Sequence, residues 1–112
     1  MANLGTFTRT ETGFIGLFEG LGIKGTLTFV PAKPSDAENA PKYRILLGDE
    51  NGRDIGAGWS HVGERAGEFV SIEIYSPVFG WLRANLFRDG DGDNDTAWSL
   101  HLNELKKKRS ED

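Results

Sequence analysis

Aromatic rings and an arginine alternate with other residues between Gly67 and Arg88, and that spacing is the strongest chemical pattern in the chain. Read as strands, Phe69 and Tyr75 share one side of the first segment with Ser71 and Glu73, while Trp81, Arg83 and Phe87 share one side of the second. If the two pair as consecutive antiparallel strands, Phe69, Tyr75, Trp81, Arg83 and Phe87 form one surface. Such a surface can stack unpaired bases, each worth roughly 1–3 kcal/mol, while the guanidinium takes a phosphate. The same rings can instead be the second half of a sandwich core or a self-association face, and Glu73 in their midst repels phosphate.

Other reactive residues are sparser. Asp89-Gly-Asp-Gly-Asp-Asn-Asp95 places carboxylates at alternate positions, like the start of a calcium-binding loop. The rest of that pattern fails: Asn94 stands where glycine is needed and Leu100 where a bidentate glutamate should be, so a solvated hairpin turn is expected and no metal site. Lys106, Lys107, Lys108 and Arg109 form a basic run, but Glu104, Glu111 and Asp112 beside it leave about +1. It reads as a solubilising tail, with an electrostatic hold on nucleic acid or an acidic partner as the alternative. His61 and His101 stand near the ends of predicted strands, with no serine or carboxylate at a spacing that identifies a triad or a metal site. Glu64 and Glu68 read as ordinary turn charges. Gly20-Leu-Gly-Ile-Lys-Gly25 has the spacing of a phosphate loop but is followed by a strand pattern, whereas phosphate cradling needs a helix N-terminus. No catalytic residue and no cofactor are expected, and the chain reads as non-enzymatic.

The elements that position these residues are short strands. Fifteen glycines and four prolines divide 112 residues into runs of alternating apolar and polar side chains. A hairpin is expected around Glu11-Thr12-Gly13, with the first strand at an edge or exposed. In the strand from Gly22 to Val30, Leu27 and Phe29 oppose Thr26 and Thr28. A polar loop spans Ser35 to Pro41. Tyr43, Ile45 and Leu47 share a face, and Asn51-Gly52 is expected to supply positive φ angles for a tight turn. Ile55, Ala57 and Trp59 are expected on one face, with Gly56 and Gly58 marking a close approach or a bulge opposite. Val70, Ile72 and Ile74, then Leu82, Ala84 and Leu86, then Trp98, Leu100 and Leu102 form the remaining apolar sets. The expected fold is all-β: a small antiparallel meander of about eight strands, closed as a barrel or folded as a sandwich. Residues 1–102 form the domain and 103–112 a polar tail with room for a turn or two of helix.

Composition sets the class. The absence of cysteine removes disulfides, thiolate metal sites and thiol catalysis, and fits a reducing cytoplasm. The first residues carry no basic stretch before an apolar run, and no segment has the roughly 18 apolar residues of a membrane helix, so a soluble, unprocessed chain with no membrane partner is expected. The net charge of −4 opposes binding of duplex nucleic acid through overall charge.

With the strands in place, Leu4-Gly-Thr-Phe-Thr8, Pro41-Lys-Tyr-Arg44, Ile55-Gly-Ala-Gly-Trp59, Phe69-Val-Ser-Ile72, Ser76-Pro-Val-Phe79 and Ala84-Asn-Leu-Phe87 follow one another in an order and spacing that resembles the bacterial family known as domain of unknown function 736. The likeness runs from about Leu4 to about Leu100 and departs at Gly80-Trp81-Leu82-Arg83, where that family has a proline-containing stretch. It implies a small cytosolic bacterial protein, often encoded on plasmids or other mobile elements, with no established activity and no catalytic residues to carry over. The resulting expectation is an accessory binding module that takes single-stranded nucleic acid or a protein partner on the aromatic and arginine face. The alternative is a self-associating structural or regulatory protein whose aromatic face is a homo-oligomer interface.

Overall fold

The computed structural model describes residues 3–20, 22–64, 67–77, 80–89 and 96–106. They form eight strands: β1 (Asn3–Arg9), β2 (Phe14–Gly20), β3 (Ile23–Pro31), β4 (Tyr43–Leu47), β5 (Arg53–Gly63), β6 (Gly67–Ser76), β7 (Gly80–Arg88) and β8 (Ala97–Lys106). Each pairs antiparallel with the next, and β1 pairs with β8, so the meander closes into a barrel. Among the described residues there is no helix, hence none long and apolar enough to cross a membrane.

Closure decides between the two expected architectures and corrects one expectation. The first strand is not an edge: Phe7 faces Gly16 of β2 on one side and Trp98 of β8 on the other. Pairing the two ends of the chain satisfies both rows of backbone donors and acceptors and leaves no strand edge open.

The alternation read from the sequence is the burial pattern. Leu4, Phe7, Phe14, Phe18, Leu27, Phe29, Tyr43, Ile45, Val70, Ile72, Ile74, Leu82, Ala84, Leu86, Trp98 and Leu100 form one buried cluster inside the barrel. The hairpin at Glu11-Thr12-Gly13 is present, closed by Thr10 N–H to the Gly13 carbonyl at 2.8 Å and by Gly13 N–H to Thr10 Oγ1 at 3.0 Å. The polar loop lies between β3 and β4.

Three local expectations are corrected. The β4–β5 connection spans residues 48–52, and the positive φ belongs to Gly48 (95°); a hydrogen bond from Gly52 N–H to the Asp49 carbonyl (2.9 Å) closes the turn. A five-residue connection needs the left-handed residue at its entry, not the paired positive φ angles of a two-residue turn. Next, the pairing shifts between Ile45, opposite Gly56, and Leu46, opposite Asp54. The bulge that Gly56 and Gly58 suggest is therefore present, with Ile55 as its extra residue packed on the core, but Ile55 does not share a face with Ala57 and Trp59, which turn outward. Gly56 and Gly58 face inward, where a Cβ on Gly58 would stand 3.2 Å from Val70 Cγ1. Finally, β8 continues through Asn103 to Lys106, because β7 reaches back to Gly80 and offers pairing partners as far as Trp81 opposite Lys106. The strand therefore enters the segment expected to be tail.

Candidate functional site

The β6–β7 register places Phe69 opposite Phe87, Glu73 opposite Arg83 and Tyr75 opposite Trp81, all on the outer surface. The five expected residues thus share one face. They are sorted along it into two aromatic pairs: the Phe69 and Phe87 rings 5.5 Å apart, and Tyr75 and Trp81 packed edge to face at 5.3 Å. Six positions along β6 separate Phe69 from Tyr75, about 20 Å at roughly 3.3 Å per residue. Between them Arg83 Nε donates to Glu73 Oε2 at 2.8 Å.

The bulge at Ile55 adds to this surface a residue that alternation grouped with Ile55. Trp59 stands on the outer face of β5, its indole N–H donating to the Asn39 carbonyl at 2.8 Å, which ties the β3–β4 loop to this surface. Trp59 and Trp81 flank a shallow cleft of about 250 Å³ with Ala57, Pro41, Arg44 and Glu73 in its walls. Trp81 is 44% exposed and Tyr75 42%. Arg44 binds Asp54 through two hydrogen bonds of 2.8 Å. Those bonds hold the Asp54 carboxyl below the usual carboxylate range and push the Arg44 pKa up. Arg44 and Arg83, near the cleft, are thus each matched by a carboxylate.

The other aromatic pair is extended by the two histidines. His61 stacks on Phe69 at 5.1 Å, and His101 lies 5.8 Å from Phe87, so four rings run in a row across β5, β6, β7 and β8. His61 Nε2 is 2.8 Å from Ser71 Oγ. Ser99 Oγ is 2.8 Å from His101 Nε2 and donates to Asp89 Oδ1 at 2.7 Å. Ser71 meets His61, and Asp89 meets Ser99, across strands, which sequence spacing does not show, whereas Ser99 and His101 stand two residues apart on one face of β8. The order is carboxylate, hydroxyl, imidazole: the single Ser99 proton goes to Asp89, so His101 supplies the proton of the other bond. A nucleophilic relay needs the imidazole between the other two, and Ser99 is only 3% exposed. The cluster ties the end of β7 to β8.

The remaining candidates are placed as follows. Glu68 meets Arg9 in a two-pronged contact at 3.2 Å. Gly20 and Gly22 flank the β2–β3 turn, with a strand following as expected. Of the acidic turn, Asp89 is bound to Ser99 and residues 90–95 lie outside the described residues. Among the described residues no group of three or more His, Asp or Glu side chains could hold a metal ion. Lys106 ends β8, while Lys107, Lys108 and Arg109 lie outside the described residues.

A family model described as "Protein of unknown function (DUF736)" matches residues 3–104. Neither the curated proteins nor the solved structures contain a match.

Proposed function

The chain belongs to the DUF736 family of proteins of unknown function, and we propose that it is a non-enzymatic binding module that docks a protein partner on the Trp59–Trp81 face. The observation that carries this reading is the pair of tryptophans on either side of Ala57, in a cleft whose arginines are already neutralised. Trp, Tyr and Arg are the side chains that most often dominate protein interfaces, especially where a rigid scaffold holds them before binding. The partner that fits presents an apolar or aromatic side chain to the cleft, flanked by charges of both signs to meet Arg44–Asp54 and Glu73–Arg83. Single-stranded nucleic acid fits less well, because phosphates would have to displace Glu73 and Asp54 on a chain of net charge −4. The bacterial, cytoplasmic and mobile-element setting implied by the family resemblance belongs to this proposal.

Cross-linked capture from the source cell tests the reading by comparing Trp81→Ala with Ile15→Ala, an exposed site on β2. The proposal expects a partner that Ile15→Ala retains and Trp81→Ala loses. A partner captured equally by both variants overturns it. Saturable, salt-sensitive quenching of tryptophan fluorescence by a single-stranded oligonucleotide would instead make the face a base-stacking platform. A dimer that Trp81→Ala dissociates would make it a self-association surface.

A further inference from the structure

The two ends of the barrel are closed differently. At the end bearing the β1–β2 turn, Phe14 packs edge to face on Trp98 (5.0 Å), Phe29 (5.6 Å) and Tyr43 (5.8 Å). Arg9 covers these rings, its guanidinium 5.6 Å from Phe14 and 5.4 Å from Trp98, with its charge on Glu68. That end is filled. The opposite end, near the β4–β5 turn, is lined by Phe18 and by aliphatic Leu27, Leu47, Ile55 and Ile74, with Tyr75, Ser76 and Pro77 on the β6 side, and a pocket of about 250 Å³ remains. Gly25, opposite Phe18, adds no side chain to the wall. Leu47 is 49% exposed at the mouth.

Among the described residues, one cation stands at this apolar opening. Arg53, the first residue of β5, lines the pocket and has no ion-pair partner among the described residues. Arg9, Arg44 and Arg83 each hold a carboxylate. An apolar pocket in the mouth of a barrel with a single orienting charge has the composition of a small-molecule site.

We propose that this end of the barrel binds a small amphipathic carboxylate, with its hydrocarbon inside the pocket and its carboxylate on Arg53. Size sets the class. A 150 Å³ apolar cavity accepts benzene, and the additional volume here corresponds to about three or four further heavy atoms at roughly 30 Å³ each. The ligand therefore has about nine or ten non-hydrogen atoms, the size of octanoate or of a benzoate with a short alkyl group. A planar guanidinium matches a carboxylate with two parallel hydrogen bonds. The site adjoins the Trp59–Trp81 face through Tyr75, which lines the pocket and packs on Trp81, but it opens at the barrel end and does not depend on the function proposed for that face.

The test is an amide NMR titration of the full chain with octanoate, hexanoate and octan-1-ol, repeated on Arg53→Gln and Leu47→Trp. Saturable shifts are expected at Leu27, Arg53, Ile55 and Ile74, with octanoate binding about 15-fold more tightly than hexanoate from two buried methylenes at roughly fourfold each. Arg53→Gln should weaken octanoate about tenfold and leave octan-1-ol unchanged. Leu47→Trp, which fills the mouth at a half-exposed position, should weaken both. No saturation at millimolar octanoate overturns the site. Shifts confined to Trp59 and Trp81 also overturn it, and equal octanoate binding by wild type and Arg53→Gln overturns the carboxylate assignment.

Discussion

The Arg9 guanidinium lies 5.4 Å from the centre of the fully buried Trp98 ring, so a charged side chain forms the lid of the aromatic core. β1 and β8 stand side by side because the barrel closes, and Arg9 extends from the end of β1 over rings contributed by β2 and β8. Its methylene stem covers apolar surface while its head remains on Glu68 at the rim.

Replacing Arg9 with Gln should therefore lower stability by about 1–2 kcal/mol, through lost ring contact and lost cover. Glu68→Gln should cost under about 1 kcal/mol, since the ion pair is solvent-screened. Urea unfolding followed by tryptophan fluorescence reads both. Equal costs would assign the effect to the ion pair and not to the rings.

The tryptophans should separate by depth. Trp98→Ala removes a fully buried ring and should cost about 3–5 kcal/mol. Trp81→Ala, at a 44% exposed ring packed edge to face on Tyr75, should change stability by about 1 kcal/mol or less. Thermal unfolding of the two variants decides this, and a large loss in Trp81→Ala would make that ring structural.

Gly56 and Gly58 should respond differently to alanine. A Cβ on Gly56 would run into the Glu73 carbonyl oxygen and lie 2.7 Å from Ile74 Cγ2, so a paired backbone must move. We expect a cost of about 2 kcal/mol or more. At Gly58 the nearest atom is the Val70 methyl at 3.2 Å, and a small shift there is offset by the reduced freedom of the unfolded chain, leaving a change under about 1 kcal/mol. Denaturant midpoints of the two single variants should fall in that order.

Acid should weaken the Arg44–Asp54 clamp. The pKa of Asp54 is lower in the folded than in the unfolded chain, chiefly through its hydrogen bonds from Arg44. Its contribution is therefore present above the unfolded value of about 3.9 and is lost as pH falls through the lower folded value. Asp54→Asn should be slightly less stable than wild type at neutral pH, by under about 1 kcal/mol for a half-exposed pair. The two proteins should converge below about pH 4. Stability curves against pH test the sign, and a gap that widens in acid contradicts it.

What the sequence determined by itself is the set of strands and the side of most of them that is buried. A strand alternates faces with a period of two, so Val70, Ile72 and Ile74 or Leu82, Ala84 and Leu86 declare an inner face with no knowledge of their partners. The outer grouping of Phe69, Tyr75, Trp81, Arg83 and Phe87 follows from the same rule, because β6 and β7 are neighbours joined by a short turn. Tertiary structure decided everything that depends on register with a partner. A bulge at Ile55 reverses the faces of Ala57 and Trp59; Gly56 and Gly58 point to a bulge or a close approach, but alternation within one strand does not locate the residue skipped opposite another. The ring row from His61 to His101 is assembled across four strands, and Ser71 reaches His61 by pairing, whereas Ser99 and His101 already stand two apart on one strand. Closure of β1 on β8 joins residues more than ninety positions apart. That contact is written in no local pattern; it follows from the accumulated twist of eight strands and the cost of leaving two edges unpaired.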